Sequence, residues 1–246
     1  MKRVYGILFV FLYLFVHVQM TFASDTHGWP EDISSLIAKT VAAYGGEKVV
    51  EGATGMHAAG DINAIMRHDR GSYEISFKRP RKLRVVTKYQ RSFETRLLNG
   101  TSGYRGTGEV PLTPVTDQRY LAMVYQYKHI DILYGILHDL YSISRKGKED
   151  LNGKRAEVLH LTDQEGPPMD VYVDAATFLI VKVTGYFVVG EGRSTTLTSE
   201  FSDFRKVADT VFPYKITNYA GGQKIAETSM QSYRIDPAIP DTIFAP

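Results

Sequence analysis

Residues 56–100 read MHAAGDINAIMRHDRGSYEISFKRPRKLRVVTKYQRSFETRLLNG, and the spacing of their apolar side chains decides the fold. Met56, Ala58, Gly60, Ile62, Ala64 and Met66 recur at every second position, with His57, Asp61 and Asn63 between them. That is the period of a strand with one buried face. Arg67 to Gly71 is rich in turn formers, and Tyr73, Ile75 and Phe77 supply the inner face of a second strand. Pro80 makes a corner, Leu83, Val85 and Thr87 run back, and Phe93, Thr95 and Leu97 run out to Asn99-Gly100. Asn-Gly between two alternating runs is a strong hairpin signal. Strands joined this closely form an antiparallel meander.

Working outward, Ile33, Leu36, Ile37, Val41 and Tyr44 fall on one stripe at steps of three and four, which predicts a helix opened by Pro30 and ended by Gly45-Gly46. A short second turn spans Glu47 to Glu51. On the other side, Gly106, Gly108, Pro111 and Pro114 interrupt the strand period, and Asp117 to Leu140 returns to helical spacing. Leu121, Val124 and Tyr125, then Ile130, Leu133, Ile136, Leu137 and Leu140, predict two helices bent near Lys128-His129. Strands resume at Tyr141, with turns at Leu151 to Gly153, Gln164 to Pro168, Asp174 to Thr177, Gly190 to Gly192 and Gly221-Gly222. The expected fold is mainly β: a half-open antiparallel barrel of about ten to eleven strands, with an N-terminal helix and mid-chain helices over it. Leu159 and Leu161 oppose Val158, and Leu179, Val181 and Val183 oppose Phe178 and Ile180, so both faces of the later strands need cover.

The start of the chain bears on location. Lys2 and Arg3 precede an apolar run from Val4 to Val18, and Thr21-Phe22-Ala23 ends in small residues, the order of a secretory leader cut before Ser24. The run is shorter than the roughly 20 residues that span a bilayer core as a helix. The chain has no cysteine, hence no disulfide and no thiol to carry a lipid anchor. These features predict a periplasmic protein with one domain, residues 24–246. The leader takes two of the 29 basic residues and none of the 27 acidic ones, leaving a balanced remainder. A nucleic-acid partner is therefore not expected, because such proteins displace phosphate counterions with a basic surplus. The one basic run, Lys78, Arg79, Arg81, Lys82 and Arg84, reads as the solvated ends of a hairpin.

Several local sequences resemble the Lol-type periplasmic lipoprotein carriers, the outer-membrane lipoprotein-sorting proteins. Phe77-Lys78-Arg79-Pro80-Arg81-Lys82-Leu83-Arg84 is similar to their Lys-Arg-Pro strand corner, Met169 to Asp174 with Thr177 and Ile180 to a later hairpin, and Phe244-Ala245-Pro246 to their terminal Phe-x-Pro. The order of elements agrees over nearly the whole chain after the leader. The resemblance implies an apolar cavity that shelters acyl chains, with helices as its lid. It also implies acylated lipoprotein or lipid cargo, an inner-membrane donor and an outer-membrane acceptor. In that family the corner arginine bonds to lid backbone and holds the closed state; its match is Arg79. Guanidinium suits the role because its fork satisfies several acceptors at once. The plainer reading is a surface arginine at a strand end. Arg79→Leu is expected to weaken lid closure and to trap cargo less reversibly. Candidate cavity residues are Met56, Ile62, Met66, Tyr73, Ile75, Phe77, Leu83, Val85 and Leu97, with lid residues Ile130, Leu133, Ile136 and Leu137. The chain departs from the family in lacking a tryptophan after the Asn-Gly turn, where Tyr104 is nearest. It also adds a hairpin over Phe212 to Ile235. These departures place it among broader relatives and leave the cargo open.

Nothing in the sequence assembles a catalytic set. Gly100 to Gly103 is no nucleophile elbow, because no helix follows it. His129-x-Asp131 and His138-Asp139 lack the three- or four-residue step that metal ligands on a helix prefer. Gly106-Thr107-Gly108 has neither the lysine nor the strand-to-helix setting of a phosphate loop. The expectation is a protein without catalysis, metal or cofactor. A rival on the same fold is an envelope sensor or protein-interaction module that moves no lipid, and a more distant one is an exported enzyme with a dispersed site.

Overall fold

The computed structural model describes residues 27–189, 192–236 and 238–246; the leader at 1–23 and its cleavage point lie outside them. The helix predicted after Pro30 is α1, Glu31–Ala43. Its first turn carries Glu31 and Asp32, which suit the positive end of the helix dipole, and it buries Ile33, Leu36, Ile37, Thr40 and Val41. Gly45 and Gly46 end it with φ of 101° and 91°. Gly45 is needed twice over, because a Cβ there would also run into the Asp209 carbonyl. The short turn that follows is α2, Glu47–Gly52.

Six strands come next: β1 (Gly55–Ala64), β2 (Asp69–Lys78), β3 (Lys82–Tyr89), β4 (Phe93–Asn99), β5 (Ser102–Thr107) and β6 (Thr113–Val115). Helices α3 (Asp117–Ile130) and α4 (Ile132–Leu137) separate them from β7 (Ser142–Leu151), β8 (Lys154–Thr162), β9 (Met169–Asp174), β10 (Ile180–Val189), β11 (Arg193–Val207), β12 (Thr210–Ala220) and β13 (Gln223–Ile235). All thirteen form one antiparallel sheet in the order β6-β5-β4-β3-β2-β1-β13-β12-β11-β10-β9-β8-β7. The sheet does not close. Its two halves are joined where β1 pairs with β13, and β6 and β7 are its free edges.

The mainly-β, half-open reading holds, with thirteen strands in place of ten or eleven. The proline-containing β6 is an edge strand, where proline costs no ladder bond. The β11–β12 turn lacks glycine and asparagine; Ala208 takes its left-handed position with φ of 50°. Two further readings change. The mid-chain helices break at Asp131 instead of Lys128-His129. β1 stops at Ala64, and a 3-10 turn over Ile65–Arg67 replaces the last strand positions.

Two apolar clusters lie between sheet and helices. One packs α1 and α4 against β8–β10, with Leu159, Leu161, Met169, Val171 and Val183 at its centre. The other packs α3 against β1–β4 and β13, through Met123, Val124, Ile75, Phe77, Leu83, Val85 and Leu98. Helix α3 is tied to the sheet by the Tyr125 hydroxyl, which donates to the Val183 carbonyl at 3.0 Å. The outer face of β8–β10 carries a small cluster of Ala156, Val158 and Tyr172 to which no described helix contributes. It is covered by its own side chains: Lys182 lies 4.4 Å from the Tyr172 ring centroid, and Lys146 pairs with the buried Asp170 at 2.8 Å. A register shift at Val181 lets Ile180 and Val183 share the helix-facing side, so strict alternation fails there.

Candidate functional site

The geometry of the Arg79 corner brings sheet and lid together. The backbone N–H of Arg79 donates to the Thr54 carbonyl at 2.8 Å, which fixes the corner beside the end of α2. Its side chain is 12 % exposed. Nε donates to Asp131 Oδ1 at 2.8 Å, Nη1 to the Glu51 carbonyl at 3.0 Å and Nη2 to the Val50 carbonyl at 3.0 Å. The two carbonyls belong to the last turn of α2, whose acceptors have no helical partner. Cζ also sits 3.7 Å from the Tyr134 ring centroid. One guanidinium therefore binds α2, the α3–α4 break and α4. Asp131 is 7 % exposed, and its Oδ2 accepts from the Tyr127 hydroxyl at 3.0 Å. Burial pushes the Asp131 carboxyl above the ordinary carboxylate value, against the pull of Arg79 and Tyr127.

The neighbouring basic residues are also engaged, which corrects the reading of this run as solvated hairpin ends. The Arg81 N–H donates to the Tyr127 hydroxyl at 3.0 Å, and its guanidinium reaches the Tyr120 hydroxyl at 3.0 Å and forms an ion pair with Glu165. Lys78 and Lys82 both pair with Asp241, at 2.8 and 2.9 Å. This holds the C-terminal turn Asp241–Phe244 against the sheet. Fully buried Phe244 is anchored there by Asn99, which donates to its carbonyl at 3.1 Å.

Behind the corner lies a cavity of about 190 Å3 between the sheet and the segment from α2 to α4. Met56, Tyr73, Ile75 and Phe77 form one wall, and Ile130 and Leu133 the helical side, with Arg79 among the lining residues. The other expected positions lie elsewhere. Ile62, Leu83 and Val85 are packed in the α3 core, and Ile136 and Leu137 pack with α1 and β8–β10. Met66 is 59 % exposed because the 3-10 turn carries it off the strand face. Leu97 is on the opposite face of β4. It pairs with Arg84 and Tyr104, whereas Leu98 pairs with Leu83 and joins the inner cluster. Cross-strand partners share a face, so the inner parity of β4 is shifted by one from the sequence reading.

The sequence reading missed most of the lining. Phe201 and Phe204 on β11, Phe212 and Ile216 on β12, and Met230 and Tyr233 on β13 form the far wall. Their signal was the alternation of Phe212, Tyr214 and Ile216, hidden by the unrecognised turn before it. His129 also lines the cavity, edge-on to Tyr125 and Phe201 at centroid distances of 5.2 and 5.8 Å. Burial lowers its pKa to about 4, so the imidazole is neutral at pH 7. The two His–Asp pairs do not converge. Asp131 is held by Arg79, while Asp139 pairs with His27 at 2.8 Å and His138 lies 3.7 Å from Glu51. Among the described residues no group of three or more His, Asp or Glu side chains is placed to hold a metal ion. No described helix is long and apolar enough to cross a membrane.

No family model matches the sequence, and no curated protein matches it. Solved structures do. A DUF1329 family protein from Desulfovibrio piger is similar with a TM-score of 0.54 at 14 % identity, covering 87 % of this chain and 97 % of that one. A LolA superfamily protein from Nitrosomonas europaea gives 0.54 at 15 % identity, with the same coverage of 87 % and 97 %. A putative outer membrane lipoprotein-sorting protein domain from Vibrio parahaemolyticus gives 0.52 at 12 % identity, covering 85 % and 94 %. The half-open sheet with its helical cover is thus the fold of the LolA superfamily and the lipoprotein-sorting domains.

Proposed function

We propose that this chain is a periplasmic carrier, without covalent chemistry, that shelters the acyl chains of a lipoprotein or another lipid between the sheet and the α2–α4 segment. The observation that carries the reading is the pairing of a largely apolar cavity with a single arginine that fastens α2, the α3–α4 break and α4 over it. The fold likeness to lipoprotein-sorting domains and the leader-like N-terminus support it. Each methylene withdrawn from water is worth about 0.8 kcal/mol, so a long acyl chain crosses an aqueous compartment only inside a host. A cavity of about 190 Å3 is smaller than the roughly 300–1,000 Å3 of pockets that enclose whole small molecules. Loading therefore requires the helical cover to move away from β11–β13, and Arg79 is the latch that governs it. Cargo would come from an inner-membrane donor and pass to an outer-membrane acceptor.

The test is native mass spectrometry of the purified protein after incubation with phospholipid or triacylated peptide. The wild type is expected to carry one acylated ligand. Ile216→Trp, which pushes an indole into the cavity, is expected to lower its occupancy by about tenfold or more, the scale of 1.4 kcal/mol. A wild type that stays free of ligand across both lipid classes would refute the carrier reading and favour the protein-interaction rival.

A further inference from the structure

The cavity wall is largely apolar, and one strip of it, His129 on α3 and Tyr73 on β2, keeps hydrogen-bonding capacity that no described residue uses. His129 Nδ1 is buried without a hydrogen-bond partner among the described residues, while Gln126, one helical turn earlier, stands outside the lining. Gln126 spends its Nε2 on the Tyr73 hydroxyl, at 2.9 Å. That bond uses Tyr73 as an acceptor and leaves its own O–H proton to be donated, and Tyr73 lines the cavity opposite the helix. The strip thus offers a donor from Tyr73 and a second group from His129 that is donor or acceptor by tautomer. Three other polar groups of the wall are committed. Arg79 is shared among three acceptors, Asp131 binds Arg79 and Tyr127, and the Tyr233 hydroxyl donates to the Pro213 carbonyl at 2.6 Å.

We infer that this strip recognises an uncharged head group able both to donate and to accept a hydrogen bond, of the kind an acyl amide presents, at the end of the sheltered chain. The inference rests on the carrier reading and narrows it. Buried polar atoms left unpaired are costly, and a ligand that pairs them gains what a bare hydrocarbon forgoes. A charged head is disfavoured. Among the described residues the only cation lining the cavity, Arg79, is already paired with Asp131, so a carboxylate would meet no free positive charge and would face the Asp131 carboxyl. The neutral state of His129 fits the same selection.

The experiment uses displacement of a fluorescent naphthylamine probe by three compounds of matched length: tetradecanamide, tetradecanoate and pentadecane. In the wild type tetradecanamide is expected to compete at a concentration about tenfold below pentadecane and tetradecanoate, the yield of one or two net hydrogen bonds. His129→Phe keeps the ring contacts to Tyr125 and Phe201, and it is expected to bring the amide-to-alkane ratio toward one, as is Tyr73→Phe. Equal competition by all three compounds in the wild type, preference for the carboxylate, or a ratio unchanged in both variants would overturn the head-group inference and leave the carrier reading intact. Failure of all three to displace a bound probe would overturn both. Because the wild-type ratios decide by themselves, a variant that does not fold cannot rescue the inference.

Discussion

Replacing Arg79 by leucine is expected to destabilise the protein by about 3–5 kcal/mol, the range found when one partner of a buried ion pair is removed. The substitution leaves the Asp131 carboxylate buried with only the Tyr127 hydroxyl, and strips the Val50 and Glu51 carbonyls of their donor. Desolvation pushes Asp131 up even with Arg79 present, so in the variant the carboxyl is driven further toward its protonated form, and the cost is expected to grow as pH rises. Guanidinium denaturation of wild type and variant gives the number. Arg79→Lys is expected to recover only part of it, because a point ammonium cannot reach three separated acceptors as the planar fork does. The double variant Arg79→Leu/Asp131→Leu separates the causes: if it is as unstable as Arg79→Leu alone, the stranded carboxylate is not the source. The same leucine variant tests the latch, since it is expected to exchange lipid with vesicles at a rate different from wild type. An unchanged rate would remove Arg79 from that role.

Gly60→Val is expected to cost about 3 kcal/mol, at the upper end of overpacking penalties. Gly60 stands at the register shift in the β1–β13 ladder, where Ala59 pairs with Ser232 and Gly60 with Met230. A Cβ there would collide with the Ser229 carbonyl and the Met230 backbone, neither of which can rotate away as a side chain would. The strain falls on the seam between the two halves of the sheet and on Met230, a cavity residue. The variant is therefore expected to lose thermal stability and to bind acyl ligands less tightly. A melting temperature equal to wild type would show that the seam tolerates the side chain and that the shift is not set by glycine.

Much of this architecture is legible in the residues, and the failures share a cause. The helix stripes, the Asn99-Gly100 turn and the Asn152-Gly153 turn were read correctly because each is a local signal with one physical solution. The Arg79 corner was found through resemblance, but its partner was not. Asp131 is 52 residues away, and no local pattern marks a carboxylate that will be buried against it. Parity errors explain the misplaced cavity residues. Leu97 and Leu98 are both fully buried, one on each face, so counting by twos along β4 had no polar position to correct it. Met66 fits a strand period that the 3-10 turn ends two residues earlier. The far wall depends on a turn built on Ala208 and Asp209, which carries no glycine to announce it. Long-range pairing, irregular turns and burial on both faces are properties of the assembled sheet, and a sequence window does not contain them.

The two free rims of the sheet, β6 and β7, are adjacent in the chain and are linked covalently by α3 and α4 alone. The cover is consequently also a strap: swinging it outward pulls on both rims, while the β1–β13 seam opposite acts as the spine of a book. On the proposed carrier reading, cargo discharge and the spread of the barrel mouth are then one coupled movement, and a covalent bridge pinning β6 to β7 is expected to slow unloading without altering any residue that lines the cavity.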